Sequence, residues 1–332
     1  GVTEDTAAIQ AAIDAGIHIV LSRRYAVSGI LISGTSYAYT GKKIDGNGRL
    51  ILTQNADGIV IKGSGHNIDG IEISLSSDLQ DEGFDFAAVH LVSTADLITQ
   101  NNIVNIKIKP YSATYKDTTH QSKGIHITAH ENAYSYNNTF NGVISGLRYG
   151  IYCEEIGNTL GINANTYRMN IWSCDCGFYG RVGGSMINGT CQSRTTDFTF
   201  NFFENFVGTG NTINAHVYDL RHENSERQYL IDDGLSGKGN NFTAVYNPVS
   251  IKNYMALNDY AFIESYRNIN AAFATPVPLS HKTLAICPYK NVLSMLNSAV
   301  ITQTDCKMFA NSVQNYPTYS ASDRTIQDCK YL

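Results

Sequence analysis

The chain has 332 residues, and 43% of them are hydrophobic and 11% aromatic, which is too rich for a disordered protein. Its 24 Lys and Arg against 29 Asp and Glu give a net charge of −5, so no basic surface for nucleic acid or polybasic membrane anchor is expected. No apolar run approaches the roughly 18 residues of a spanning helix, and no signal-peptide pattern is found at the amino terminus. We therefore expect neither nucleic acid nor membrane insertion among its partners.

The first predicted element is a short helix at the amino terminus. Asp5 or Thr6 can cap it, and Ile9 and Ile13 lie at positions i and i+4 on one face. Gly16 ends it, as glycine commonly does after a last helical turn. Such a helix would cover the open end of a stack of strands, where unpaired backbone groups otherwise invite association.

The same segment carries a recognisable motif. It reads Gly-Val-Thr-Glu-Asp-Thr over residues 1–6 and continues with Ala8, Ile9, Gln10, Ala12 and Ile13. This resembles the second half of the motif that opens pectate-lyase-superfamily β-helix proteins, and the resemblance extends over about residues 1–250. It implies an all-β fold, a right-handed single-stranded parallel β-helix of the pectin-lyase-like solenoid type with an N-terminal capping helix. Because the chain begins within the motif, we expect a preceding strand in a longer protein.

Short runs of alternating polar and apolar residues follow the helix and predict strands rather than further helices. Examples lie at 59–63, 103–109 and 124–128. Each run lasts about 4 to 6 residues and ends at Asn, Gly, Ser or Thr, so a period of 22 to 27 residues accommodates roughly three strands with their turns. That composition of the period is typical of a parallel β-helix.

A direct repeat supports the solenoid, because residues 138–152 recur as 165–179, 27 positions later. The matched pairs are Asn138 with Asn165, Ile144 with Ile171, Gly150 with Gly177, and Tyr152 with Tyr179. Equal positions of successive coils stack at about 4.8 Å. We therefore expect Asn138 and Asn165 to form a ladder of amide hydrogen bonds at a turn, where Asn also tolerates the left-handed conformation.

A row of aromatic residues is predicted on the outside of the solenoid. In each repeat the Ile or Phe after glycine faces inward, so His126, Tyr152 and Tyr179 become outward neighbours, and His90 joins them across an insertion at 112–123. Such a row suits sugar rings, or equally a neighbouring subunit. Trp172 aligns with Ser145 and should also point outward, with the same two interpretations.

Glycan hydrolysis needs two carboxylates, about 5 Å apart for retention and further apart for inversion, which adjacent coils or coils two apart can provide. The candidates lie in the coils and in the charged segment 217–234: Glu154, Asp175, Asp219, Glu223 and Asp232. The competing interpretation is a set of exposed ion pairs, namely Asp175 with Arg148, Glu154 with Arg181, and Asp219 and Glu223 with Arg221 or Arg227. A lyase would instead use His126 or Tyr152 as a base and Arg181 to neutralise a uronate.

Within the superfamily the chain is most similar to bacteriophage tailspikes and related depolymerases of capsules or teichoic acids, which are trimeric β-helices. It lacks the Gly-His-Gly and Arg-x-Lys motifs of polygalacturonases and the aspartate cluster that holds calcium in pectate lyases. The resemblance implies a homotrimer on a phage tail that binds and hydrolyses a bacterial surface polysaccharide. Three alternatives stay open: a spike that binds glycan without cutting it, a lyase or phosphodiesterase, and a secreted enzyme.

The cysteines and the carboxy-terminal part complete the sequence-based predictions. Of seven cysteines, Cys153, Cys174 and Cys191 fall at inward positions and are predicted to be buried thiols; no metal or cofactor is expected. We predict a capping helix with the entry to the solenoid at 1–20 and a β-helix at 21–250. Four of the six prolines lie beyond residue 250, so 251–332 is predicted to be a cap, a trimerisation segment or a small β module.

Overall fold

In this computed structural model the described residues fall into four long ranges and five separate strands. They are 4–37, 41–110, 120–157 and 161–192, with 201–207, 211–218, 229–231, 241–247 and 262–265. The chain divides into two compact units, Gly1–Ser185 and Met186–Leu332.

The first unit contains two helices and seventeen described strands. The helices are α1 (Thr6–Asp14) and α2 (Ser77–Glu82). The strands are β1 (Ile19–Leu21), β2 (Arg24–Val27), β3 (Ile30–Ser33), β4 (Lys43–Gly46), β5 (Arg49–Leu52), β6 (Ile59–Lys62), β7 (Asn67–Leu75), β8 (Ala87–Ser93), β9 (Thr99–Gln100), β10 (Ile103–Lys109), β11 (Lys123–Ala129), β12 (Ser135–Tyr136), β13 (Thr139–Ser145), β14 (Tyr149–Glu155), β15 (Ile162–Asn163), β16 (Thr166–Trp172) and β17 (Cys176–Arg181).

These strands form three parallel sheets. Sheet 1 has the order β1-β4-β7-β10-β13-β16, and β5 also pairs with β7 and β2 with β5. Sheet 2 has the order β3-β6-β8-β11-β14-β17, and sheet 3 has the order β9-β12-β15. Strands of one sheet are separated in the chain by strands of the others, and their pairings are parallel. This is a parallel β-helix, as predicted.

The second unit is also built from parallel strands. They are β18 (Met186–Gln192), β19 (Asn201–Val207), β20 (Thr212–Tyr218), β21 (Tyr229–Ile231), β22 (Asn241–Asn247) and β23 (Phe262–Ser265). Strand β18 pairs with β20, β20 with β22, β22 with β23, and β19 with β21. The pair of β22 with β23 extends parallel stacking past residue 250, and the domain boundary placed there stays a prediction.

The predicted stacking of equal positions is confirmed in the core. Ile144 pairs with Ile171, and both are buried. Phe140 stacks on Tyr167 with ring centroids 5.1 Å apart and planes 9° apart. Burial of such large apolar side chains coil after coil is the main stabilising contribution available to a solenoid.

The asparagine ladder is confirmed and is longer than predicted. Asn138 Nδ2 donates to Asn165 Oδ1 at 3.1 Å, and Asn102 Nδ2 donates to Asn138 Oδ1 at 2.9 Å. The backbone N–H of Asn138 also donates to Asn165 Oδ1. The left-handed conformation falls on the residue before each ladder asparagine, as in Asn137 with φ of 54°.

Helix α1 buries Ile9 and Ile13 and is followed by Gly16 with φ of 72°, as the sequence predicts. The capping interaction differs from the prediction. Asp5 occupies the N-cap position, but its side chain makes no capping hydrogen bond. Instead, the Glu4 carboxylate accepts the N–H groups of Thr6 and Ser28, which joins the start of the helix to the turn between β2 and β3.

The predicted thiols Cys153 and Cys174 are buried and free, and Cys176 is buried as well. The side chain of Cys191 lies outside the described residues. Within the part of the chain that the structure describes, no helix has both the length and the apolar character needed to cross a bilayer.

The ladder predicts the effect of replacing Asn138 by Ala. The change leaves the buried N–H of Asn102 without its acceptor, so we expect the free energy of unfolding to fall by about 1–3 kcal/mol. Urea unfolding followed by circular dichroism measures it. Asn141→Ala, on the outward face of the neighbouring strand, is the control and should change stability by no more than about 0.5 kcal/mol. Equal effects of the two changes would contradict a structural role for the ladder.

Candidate functional site

The candidate site lies on the outward face of sheet 2. Strand register places one residue from each strand in a single column, which we call the sheet 2 column: Leu31, Val60, His90, His126, Tyr152 and Tyr179. The predicted alignment of His126 with both tyrosines, and the addition of His90, are confirmed. The column changes from apolar through imidazole to phenol along its length.

The two tyrosines stack on each other. The ring centroids of Tyr152 and Tyr179 are 4.4 Å apart with planes 6° apart, and Tyr149 meets both rings edge-on. The faces between the two rings are therefore occupied, so the pair offers mainly ring edges and hydroxyl groups to a ligand. Burial, followed by the neighbouring Tyr179 and Glu154, raises the pKa of the Tyr152 phenol and keeps its hydroxyl protonated.

The two histidines form a second stacked pair. The rings of His90 and His126 are 4.2 Å apart with planes 9° apart, and the His126 side chain is 12% exposed. Burial, then the charges of His90 and Lys123, lowers the pKa of His126 to about 3. His126 is therefore a neutral imidazole at neutral pH.

A chain of hydrogen bonds links two carboxylates through these imidazoles. Asp57 Oδ2 lies 2.7 Å from His90 Nδ1, and His90 Nε2 lies 2.8 Å from Thr128 Oγ1. His126 Nε2 lies 3.2 Å from the same Thr128 oxygen and 3.1 Å from Glu154 Oε2. Asp57 and Glu154 are thus the two ends of one polar network.

The proton positions follow from the partners. Burial raises the pKa of the Asp57 carboxyl, but the hydrogen bond and charge of His90 and the N–H of Ala87 outweigh it and hold the pKa below its usual value. The ionised carboxylate can only accept, so His90 Nδ1–H donates to Asp57, and in the neutral form of the ring Nε2 accepts the hydroxyl proton of Thr128. His126 Nε2–H then donates to the Thr128 oxygen and to Glu154.

Glu154 and Arg181 do not pair with each other, which corrects one interpretation drawn from the sequence. Glu154 contacts His126, whereas Arg181 Nη1 lies 3.4 Å from Glu155 Oε2. Gly180, between Tyr179 and Arg181, has φ of 96°. A Cβ at this position would lie 1.8 Å from the carbonyl oxygen of Cys153, so only glycine fits. This local bend follows Tyr179 directly and precedes the arginine.

Two other predicted residues that the structure describes, Asp175 and Trp172, do not belong to the column. Asp175 lies in the corner before β17, where the next residue, Cys176, donates its N–H to the carbonyl oxygen of Arg148. The pairing of Asp175 with Arg148 stays a prediction. Trp172 aligns with Ser145 as expected, but on sheet 1. Three predicted carboxylates lie outside the described residues: Asp219, Glu223 and Asp232.

A shallow groove continues the column toward helix α1. Its volume is about 660 Å³, and its lining includes Leu31, Asp57, Val60 and Lys62. Among the described residues, no group of three or more His, Cys, Asp and Glu side chains is placed to hold a metal ion.

Sequence reasoning missed Asp57 and Thr128. Thr128 lies two residues after His126 in β11, so strand alternation alone could have placed it on the same face. Asp57 lies 33 positions before its partner His90 in a turn, and no local spacing connects them.

Comparison with known proteins gives structural similarities only. No protein-family profile matches the chain, and no curated protein matches it by sequence. The full-length tailspike protein 2 of Escherichia coli O157:H7 bacteriophage CAB120 is similar with a TM-score of 0.41 at 13% identity, over 86% of this chain and 40% of that one. The enzymatically active domain of tailspike protein 2 of bacteriophage CBA120 gives a TM-score of 0.33 at 13% identity, over 86% and 45%. The chain thus spans less than half the length of either structure.

The depressed pKa of His126 predicts a pH dependence of stability. Between pH of about 6.5 and 3 the unfolded chain binds a proton at this histidine and the folded chain does not. The contribution of the neutral His126 to the free energy of unfolding is therefore fully present above pH 6.5 and is lost as the pH falls toward 3. We expect His126→Gln to reduce the slope of unfolding free energy in this window by about 1.4 kcal/mol per pH unit. Urea unfolding at a series of pH values measures it. An NMR titration showing His126 protonated near pH 6 would contradict the assignment.

Proposed function

We propose that the outward face of sheet 2 binds a bacterial surface polysaccharide and that the protein shortens it by carboxylate acid/base hydrolysis, as a tailspike-like depolymerase. The observation that supports this most directly is the position of Glu154. Its carboxylate is 46% exposed, is oriented by His126 and lies beside the Tyr152 and Tyr179 pair. An accessible, oriented carboxylate next to a polar aromatic surface fits one of the two carboxyl groups that glycoside hydrolysis requires.

The chemistry of the column suits a ligand rich in hydroxyl groups. The phenol edges of Tyr152 and Tyr179 can donate and accept hydrogen bonds, and Glu154 accepts them. Arg181 is 41% exposed at the same end of the face and can meet an acidic substituent of a sugar. These groups recur along the helix axis at the strand spacing, so the surface favours an extended polymer over a compact ligand.

Asp57 supplies a second carboxylate on this face. Its carboxylate is hydrogen-bonded to His90, which belongs to β8. Glu154 belongs to β14, two strands further along sheet 2. The strands of His90 and Glu154 are two spacings, about 9–10 Å, apart, so the two carboxylates fit the wide separation of an inverting pair better than the narrow one of a retaining pair. Because the pKa of Asp57 is lowered, its carboxylate stays ionised and fits the role of base, and we assign the role of acid to Glu154, the other carboxyl group of this face. Asp175, Asp219, Glu223 and Asp232 stay candidates for either role.

The same groups make poor bases for a lyase. A lyase base has to remove a weakly acidic proton from carbon, which a group with a pKa near the operating pH does best. His126, with a pKa of about 3, is too weak a base, and the raised pKa of Tyr152 keeps its hydroxyl protonated. Hydrolysis is therefore the better-supported chemistry for this face.

The central test is Glu154→Gln in the full chain, assayed for loss of viscosity and chain length with a panel of purified bacterial capsular polysaccharides. We expect cleavage to fall about a hundredfold or more with polymer binding retained. Glu82→Gln, on the exposed helix α2, is the matched control and should cleave normally.

Three outcomes would overturn parts of this proposal. Unchanged cleavage by Glu154→Gln would exclude this residue, and binding without shortening by the unmodified protein would favour a receptor-binding spike. Products that absorb in the ultraviolet through a new double bond would identify a lyase.

We further propose that the chain assembles as a homotrimer located on a phage tail. The Tyr152 and Tyr179 edges are partly exposed, so the assembly should leave this face open to the polymer. Light scattering of the full chain is expected to give three times the 36.4 kDa chain mass. A mass of one chain would contradict the trimer without affecting the glycan site.

A further inference from the structure

A second catalytic arrangement is present within the same face. Asp57 Oδ2 lies 2.7 Å from one ring nitrogen of His90, and Thr128 Oγ1 lies 2.8 Å from the other. The carboxylate is itself fixed by the backbone N–H of Ala87 at 2.9 Å. A carboxylate on Nδ1 and a hydroxyl on Nε2 is the geometry that activates a hydroxyl group as a nucleophile.

We propose that Asp57, His90 and Thr128 form a nucleophile triad that hydrolyses small carboxylate esters, such as acetyl groups on sugar hydroxyls. Thr128 Oγ1 bonds to the ester carbonyl carbon as its proton passes to His90 Nε2. The carbon–oxygen bond to the sugar then breaks, and His90 returns the proton to that oxygen. Water releases the acyl group by the same steps in reverse, giving a carboxylic acid, an alcohol and free Thr128.

Burial sets the size of the substrate group. Thr128 is 4% exposed, while the side chains of His90 and Asp57 are 16% and 22% exposed. A polymer backbone cannot reach the hydroxyl, but a small acyl group projecting from a sugar can approach it past these two side chains. The open groove lined by Asp57 lies at the carboxylate end of the triad and can hold the sugar that carries the acyl group. Acetyl esters are therefore the expected class, and long-chain esters are not.

A donor for the developing oxyanion is in place. His126 Nε2 lies 3.2 Å from Thr128 Oγ1 and 3.1 Å from Glu154 Oε2, so its one N–H is shared between Glu154 and the hydroxyl that would carry the acyl group. When the carbonyl carbon bonds to Thr128, its oxygen comes within reach of this N–H. Stabilising that oxygen is commonly a large part of acyl-transfer catalysis.

This activity does not depend on glycan cleavage. The triad uses Thr128, which the proposed hydrolase mechanism leaves unassigned, and an ester probe contains no glycosidic bond. Failure of one activity is therefore distinguishable from failure of the other.

The experiment measures hydrolysis of p-nitrophenyl acetate by the full chain. We expect turnover by the unmodified protein, a fall of about a hundredfold or more in Thr128→Val, and activity within about tenfold in Thr128→Ser, which keeps the hydroxyl. Thr166→Val, an outward strand threonine on sheet 1, is the matched control and should keep full activity.

Covalent labelling supplies a test that needs no variant. A fluorophosphonate reagent should modify Thr128 in the unmodified protein, and mass spectrometry should find the adduct on the peptide containing 123–129. Absence of both turnover and labelling would overturn the proposal, as would equal turnover by Thr128→Val and the unmodified protein. Labelling decides the question if Thr128→Val does not fold.

Discussion

The structure depends on one constraint, the in-register parallel stacking of successive coils. Backbone hydrogen bonds fix adjacent strands about 4.8 Å apart, so equal positions of the repeat become neighbours whatever their chemistry. Inside, this places Ile144 against Ile171; at the turn, it joins Asn138 to Asn165. The buried amides satisfy one another because the spacing of the coils matches the reach of their side chains.

The same constraint builds the proposed glycan-binding face and limits which parts of its side chains a ligand can contact. A residue on the outer face of sheet 2 meets its counterparts above and below, so aromatic residues stack ring on ring, as Tyr152 does on Tyr179. Stacking uses ring faces that a sugar would otherwise contact, and it leaves polar edges for binding. Stacked imidazoles likewise share one hydrogen-bond network, in which a proton on one ring disfavours a proton on the next. Burial is the main cause of the low pKa of His126, and the charge of the stacked His90 adds to it.

Much of this architecture could be predicted from the sequence, because a solenoid converts a repeat directly into spatial proximity. The 27-residue offset placed Tyr152 beside Tyr179 correctly, and it identified the ladder from Asn138 to Asn165. Asn102 escaped detection because an insertion lengthens its coil to 36 residues. Asp57 could not be found either, since it reaches the column from a turn, where side-chain direction follows from tertiary structure rather than from strand alternation.

The most direct measurement of the central claim is hydroxyl-radical footprinting of the full chain with and without a polysaccharide that it binds, read by mass spectrometry. The account predicts that the polymer protects Tyr152, Tyr179 and His126 from oxidation and leaves Trp172 on sheet 1 unchanged. Protection of Trp172 with no change at the two tyrosines would show that the glycan binds elsewhere and would contradict the assignment of sheet 2 as the functional face.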